Sequence, residues 1–289
     1  MLAETGTQLG AWALPIAGVF GLLIGSFLNV VIARLPVMLE REWEHEARAI
    51  LEHPPAEDAG REPFDLLRPR SRCPQCQRPI RALENIPLLS FLFLRGRCPG
   101  CGNRISWQYP AVEALTALLF IVTIWQLGPD AAGLLALVFT AVLVAAAGID
   151  ARTTLLPDQL TLPLLWLGLL VNIPGTFTDL QSAVIGAAAG YLTLWLIFHG
   201  FRLLTGKEGM GFGDFKLLAA LGAWLGWQAL PVILLLASLV GAVVGIALIL
   251  LRGRDRNIPI PFGPYLAAAG WLTLIWGDQL LALYFPQGL

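Results

Sequence analysis

The chain has 289 residues, of which 56% are hydrophobic and 13% charged. Ordinary soluble domains carry about 25% charge, so the composition excludes one and points to the bilayer. A net charge of −1 offers no attraction to a strongly acidic or basic partner.

Residues 1–10 lack a basic segment, and the apolar run after them leads into Arg34 and not into a small-residue cleavage site. That run reads as a retained first span over 11–34, not as a signal peptide. Residues 35–108 form a polar insertion that holds 11 of the 19 Lys and Arg and 10 of the 20 Asp and Glu. Seven apolar stretches follow, at 109–127, 131–149, 159–173, 180–203, 215–229, 231–251 and 260–285. Most of them reach the ~17–25 residues that cross a bilayer, although the fourth and sixth spans are short. The expected fold is an all-α polytopic membrane protein of about eight transmembrane helices. Its organisation is a first helix (1–34), a small insertion (35–108) and a seven-helix membrane domain (109–289).

The connections alternate between two faces. One set comprises 35–108, 150–158, 204–214 and 252–259; every Lys and Arg lies in or beside it, and none lies in the other set. The positive-inside bias makes the first set cytoplasmic and puts both termini on the opposite, periplasmic face. Asp150, which closes the third span, and Asp214, which opens the sixth, then share the cytoplasmic membrane edge.

All four cysteines lie in the insertion, as Cys73-Pro-Gln-Cys76 and Cys98-Pro-Gly-Cys101, with 21 residues between the knuckles. That spacing suits a four-thiolate structural zinc site, which would fold a segment too small to build its own core. A reducing cytoplasm disfavours the alternative of two disulfides. Arg68, Arg70, Arg72, Arg78 and Arg81 could suggest nucleic acid, but Glu40, Glu42, Glu44, Glu46, Glu52 and Glu57 leave the insertion nearly neutral. No nucleic acid is expected; the lipid bilayer is the partner of those arginines. The acidic run at 40–46, with His45, reads as an exposed helix face, its alternative being a docking surface for a basic peptide.

Carboxylates at a membrane edge pair, bind a cation or do chemistry. A zinc protease fails, because His45-Glu46 is followed by Ala49 where a second His belongs. A serine mechanism has only His199 near a span as base, and Gly25-Ser26-Phe27 reads better as small-residue packing. A cysteine nucleophile would have to come from the metal ligands. Two aspartates remain: one stays protonated while the other takes a proton from water. Gly209, Gly211 and Gly213 beside Asp214 suit close backbone approach and conformations closed to other residues. Asp158, after Pro157, is the rival second carboxylate, with helix capping as its expected role. A proton-coupled transporter would place its charges near mid-membrane and show an internal repeat. A zinc-dependent nucleic-acid or scaffold protein would leave the aspartates unexplained.

Four segments together resemble the bifunctional prepilin leader peptidases with N-methyltransferase activity. They are Gly25-Ser-Phe-Leu-Asn-Val-Val-Ile-Ala-Arg-Leu-Pro36, the two cysteine knuckles, Asp150-Ala-Arg-Thr-Thr-Leu-Leu-Pro-Asp158 and Gly209-Met-Gly-Phe-Gly-Asp-Phe-Lys216. The resemblance implies a bacterial inner-membrane enzyme acting on type IV prepilins and type II secretion pseudopilins. It would cleave after the last leader Gly, before Phe or Met, and then methylate the new amine with S-adenosylmethionine. It maps the aspartate pair onto Asp150 and Asp214, and the zinc ligands onto Cys73, Cys76, Cys98 and Cys101. No strand–Gly-x-Gly–helix unit is present for the methyl donor. Gly96 is the candidate for that site, with a turn glycine feeding the second knuckle as its alternative. Glu113 has no assigned role, and Asn29 is expected to hydrogen-bond between helices.

Overall fold

The computed structural model describes residues 2–52, 64–207, 210–252 and 261–284. Nine helices account for them: α1 (Leu2–Ile50), α2 (Leu89–Phe93), α3 (Gln108–Leu127), α4 (Ala131–Thr153), α5 (Asp158–Val171), α6 (Leu180–Thr205), α7 (Phe212–Leu225), α8 (Leu230–Arg252) and α9 (Gly263–Tyr284). No strand occurs among the described residues, only two isolated bridges, Arg72 to Pro79 and Arg97 to Arg104. All eight expected spans are helical. Among the described residues, five helices are long and apolar enough to cross a membrane: α1, α3, α4, α6 and α8. At 14 residues each, α5 and α7 rise only ~21 Å, short of a ~30 Å hydrocarbon core.

The chain divides into two compact units, Met1–Trp125 and Gln126–Leu289. In the first, α1 does not stop at residue 34 but runs on to Ile50 as one 49-residue helix. Its last turns are solvated and carry the acidic run; Glu44 pairs with Arg48 one turn on, at 2.8 Å. Charged residues spaced three and four apart support a helix with no apolar partner. Where α1 meets α3, glycines face the crossing. A Cβ on Gly21 would sit 2.6 Å from Ala117 Cα, and one on Gly25 would sit 2.7 Å from Glu113 Cα. Lipid tails are as apolar as leucine, so close backbone approach holds such helices together, as expected for Gly25-Ser26. Asn29 bridges the same crossing, donating from Nδ2 to Tyr109 O at 3.1 Å and to Gly25 O at 3.2 Å.

In the second unit, α7 is the central helix, with ten of its fourteen residues buried. An all-round apolar helix belongs inside protein, not against solvent, and α5, α6 and α9 pack around α7. Gly186 of α6 lies on the backbone of Gly222, a Cβ on Gly190 would stand 2.6 Å from Leu218 O, and Gly270 of α9 lies against Leu221. The last carbonyls of α7 lack intrahelical donors. Asn172 supplies them, donating to Ala223 O at 2.9 Å and Trp224 O at 3.0 Å, while its Oδ1 accepts from Phe177 and Thr178. On the expected periplasmic loops, Asp130 and Asp179 cap α4 and α6 through the amides of Gly133 and Ser182.

The Gly186–Gly222 contact generates a stability prediction. Gly222→Ala should cost ~1–3 kcal/mol by overpacking, read as a lower thermal-unfolding midpoint in detergent. Gly200→Ala, on the same α6 but with open space around it, should leave the midpoint unchanged or raise it. Equal midpoints for the two variants would contradict the packing account.

Candidate active site and metal centre

Asp150 lies in the last turn of α4 and Asp214 in the first turn of α7. Both are almost wholly enclosed, at 4% and 6% exposure. The two helix ends converge through Leu156, in the loop after α4. A Cβ on Gly213 would come within 2.6 Å of Leu156 Cβ, and one on Gly263 within 3.0 Å of its Cδ1. Gly263 opens α9 and donates its N–H to Asp150 Oδ2 at 2.8 Å; a Cβ there would stand 2.6 Å from that oxygen. Asp214 is treated differently: its Oδ1 is buried with no hydrogen-bond partner among the described residues. One carboxylate is thus held by a backbone donor, and the other keeps an acceptor unspent. A buried acceptor without a donor is costly unless a ligand or water completes it.

The glycines before Asp214 serve space more than backbone freedom. Gly211 is the residue before α7, with an ordinary extended φ of −87°, and Gly213 is needed for its contact with Leu156. Gly209 lies outside the described residues. Asp158 departs from expectation. Pro157 precedes α5, and no side-chain cap is made; the Asp158 carboxylate instead accepts from Lys216 Nζ at 2.6 and 2.7 Å. An ammonium is a stronger partner than a neutral amide, and Lys216 lies two residues beyond Asp214 on α7. Asp158 is half-exposed and outside the enclosed pair. His199 stacks on Trp195 with centroids 4.1 Å apart and has its Nδ1 2.9 Å from Trp195 O.

In the first unit the two knuckles fold alike. Cys73 N–H donates to Arg78 O and Cys98 N–H to Asn103 O, and each cysteine's carbonyl accepts from the residue four further on, Gln77 or Gly102. The four Sγ atoms lie within 4.8 Å of one another, with Cys73–Cys101 at 3.8 Å and Cys76–Cys98 at 3.9 Å. Four thiolates ~2.3 Å from a tetrahedral zinc stand ~3.8 Å apart, so the cluster fits that ion. The amides of Cys101 and Gly100 pull the Cys98 thiol down to about 6 and those of Cys76 and Gln75 lower Cys73, while burial and the neighbouring cysteines push Cys101 up to about 11. Arg78 holds the Glu84 carboxyl below its usual range through a 2.7 Å ion pair.

Gly96 has a left-handed φ of +65°. It donates to Phe91 O and accepts from Ile105, and a Cβ would touch Phe91 Cζ at 3.0 Å. It therefore turns the chain into the second knuckle and also lines a cleft of about 640 Å³ with Phe91 and Trp107. Glu113 is buried on α3 and accepts from Leu88 N–H at 2.8 Å. Reading the sequence did not single out Gly263, Leu156 or Asn172. The Pro261-Phe-Gly-Pro264 string was the available signal for the first of these, and nothing in the sequence couples it to Asp150.

Two family models match the chain: Bacterial Peptidase A24 N-terminal domain over residues 19–127 and Type IV leader peptidase family over 137–246. A prepilin leader peptidase/N-methyltransferase of Aeromonas hydrophila is 62% identical over 93% of this chain and 92% of its own length. Proteins of the same description from Pseudomonas putida and Neisseria gonorrhoeae are 53% and 50% identical, each over 94% of this chain and 93% of theirs. No solved structure matches. The matches cover more than nine-tenths of the chain, which belongs to the prepilin leader peptidase/N-methyltransferase family.

Proposed function

We propose that this chain is a membrane aspartic endopeptidase and N-methyltransferase of the bacterial inner membrane. It removes the basic leader from type IV prepilins and type II secretion pseudopilins after a Gly, at the cytoplasmic face. It then methylates the new N-terminal Phe or Met with S-adenosylmethionine. The observation that carries the cleavage half is the enclosed pair of Asp150 and Asp214; the names of the relatives supply the substrate class.

Two neighbouring carboxylates share one proton. The Gly263 N–H favours the ionised form of Asp150, so Asp150 takes the proton from water as the oxygen attacks the peptide carbonyl. Protonated Asp214 polarises that carbonyl and donates to the developing oxyanion. Collapse to products returns the proton to the leaving amine. The exclusion of bulk water around the pair strengthens each of these interactions.

Cys73, Cys76, Cys98 and Cys101 hold a structural zinc that closes the insertion and leaves no open position for chemistry. S-adenosylmethionine supplies an activated methyl group, and Gly96 supports the methyl-transfer half by setting the place of Phe91. The proposed organisation remains a first span, a zinc-bearing cytoplasmic segment and a membrane protease domain, with both termini periplasmic.

Purified protein in detergent, mixed with a prepilin and labelled methyl donor, tests both halves. Asp150→Asn and Asp214→Asn should each lower leader cleavage by ~10²–10⁴-fold or more and still methylate a processed pilin. Normal cleavage by either variant sinks the assignment. Gly263→Ala should push the Asp150 carboxylate aside and cut kcat for cleavage ~10²-fold; an unchanged kcat would contradict the positioning role. Metal analysis should find about one zinc per chain. Its removal by a strong chelator should expose the insertion to proteolysis, and a metal-free sample with full protection overturns the ribbon.

A further inference from the structure

The first unit contains a partly open cavity of about 410 Å³, lined by residues of α1, α3, α2 and both knuckles. Its volume suits a nucleoside-sized ligand. Two of its walls are polar in a way that packing does not explain. Asn29, 2% exposed, spends its amide on two backbone carbonyls, which fixes which end is oxygen. Its Oδ1 has no partner among the described residues. Glu113, one turn of α3 beyond Tyr109, presents a buried carboxylate to the same space, with the Ser26 hydroxyl against it. Leu88, whose N–H binds Glu113, is held at φ +57°, a conformation that costs a bulky residue ~1–3 kcal/mol and is concentrated at ligand sites.

The lining also holds cations. Arg34 is occupied by the carbonyls of Asp65 and Pro69, and Arg78 by Glu84. Arg104, an exposed residue with no carboxylate partner among the described residues, lines both this cavity and the cleft beside Gly96, as does Phe91. Buried acceptors, a guanidinium without a carboxylate partner and the Phe91 ring, all in one lining, suit a cationic nucleoside that also bears a carboxylate.

We propose that this cavity, and not the outer cleft beside Gly96, binds the methyl donor S-adenosylmethionine. Asn29 Oδ1 and Glu113 face its positive groups, and Arg104 faces its carboxylate. The inference rests on the methyl-transfer half of the reading above. The amine nitrogen of the processed substrate forms the bond to the methyl carbon, the sulfur–carbon electron pair returns to sulfur, and the displaced amine proton leaves to Glu113 or water. Gly96 acts from behind, because a Cβ there would press on the Phe91 ring that walls the cavity.

Equilibrium dialysis of the full chain in detergent with labelled S-adenosylmethionine reads binding without turnover. Leader cleavage in the same samples reports folding. Glu113→Gln and Asn29→Leu should each weaken donor binding ~10-fold or more, since each removes a hydrogen bond to a charged group. Arg104→Met, at an exposed position, should weaken S-adenosylmethionine while leaving 5′-methylthioadenosine, which lacks the carboxylate, bound as before. Wild-type affinity in Glu113→Gln and Arg104→Met overturns the site, as does an equal loss of both ligands in Arg104→Met. A wild-type chain that cleaves but neither binds nor transfers the methyl group would instead overturn the methyltransferase reading.

Discussion

The burial of α7 on every side is the constraint on which the second unit depends. A 14-residue helix cannot span the bilayer by itself, so its apolar surface has to be covered by protein. Glycines make this possible. Gly186 and Gly190 on α6, Gly168 on α5 and Gly270 on α9 each sit where a side chain would strike α7. The backbones close to contact distance, and dispersion replaces the hydrophobic effect that lipid does not supply. Asn172 completes the arrangement by satisfying carbonyls at the end of α7 opposite Asp214.

Polar groups inside both units follow a single rule with two exceptions. Threonine hydroxyls fold back on helix carbonyls, as at Thr116, Thr140 and Thr273, and Trp224 donates to Leu164 O. Asn29 Oδ1 and Asp214 Oδ1 are the described buried atoms left without a partner. An apolar interior penalises such atoms more heavily than water does, so each marks a place completed by something other than the folded chain. One lies in the carboxylate pair of the second unit and the other in the cavity of the first. Under the two proposals above, hydrolysis and methyl transfer would each use one such atom, one in each unit.

Zinc-type knuckles and glycine-mediated helix contacts solve the same problem in different media. The segment after α1 has few large buried side chains, with Cys73 its buried hydrophobic residue, and it gains order from four converging thiols. The helices have apolar surface in excess but no water to drive it together, and they gain order from close approach. In both cases small local chemistry, a sulfur cluster or a missing Cβ, stands in for a conventional core.

Much of this was legible in the sequence because it depends on composition and spacing. Apolar run lengths located the long helices, five of them long and apolar enough to cross a membrane among the described residues, and two Cys-x-x-Cys pairs pointed to a four-thiol cluster. Charge asymmetry and elimination singled out Asp150 and Asp214, which are 64 residues apart in the chain. Their neighbourhood was not legible. The Gly263 amide comes from 113 residues beyond Asp150, and no local pattern links the two. Asp158 looked like a helix cap because capping is a local rule, yet a lysine from another helix takes its carboxylate. Glu113 and Asn29 stood out in the sequence only as polar residues in apolar runs, and the cavity they share exists only where α1 crosses α3. Periodicity and ligand spacing are properties of a segment and its own backbone. Which donor reaches which buried acceptor depends on how helices cross, and packing alone decides that.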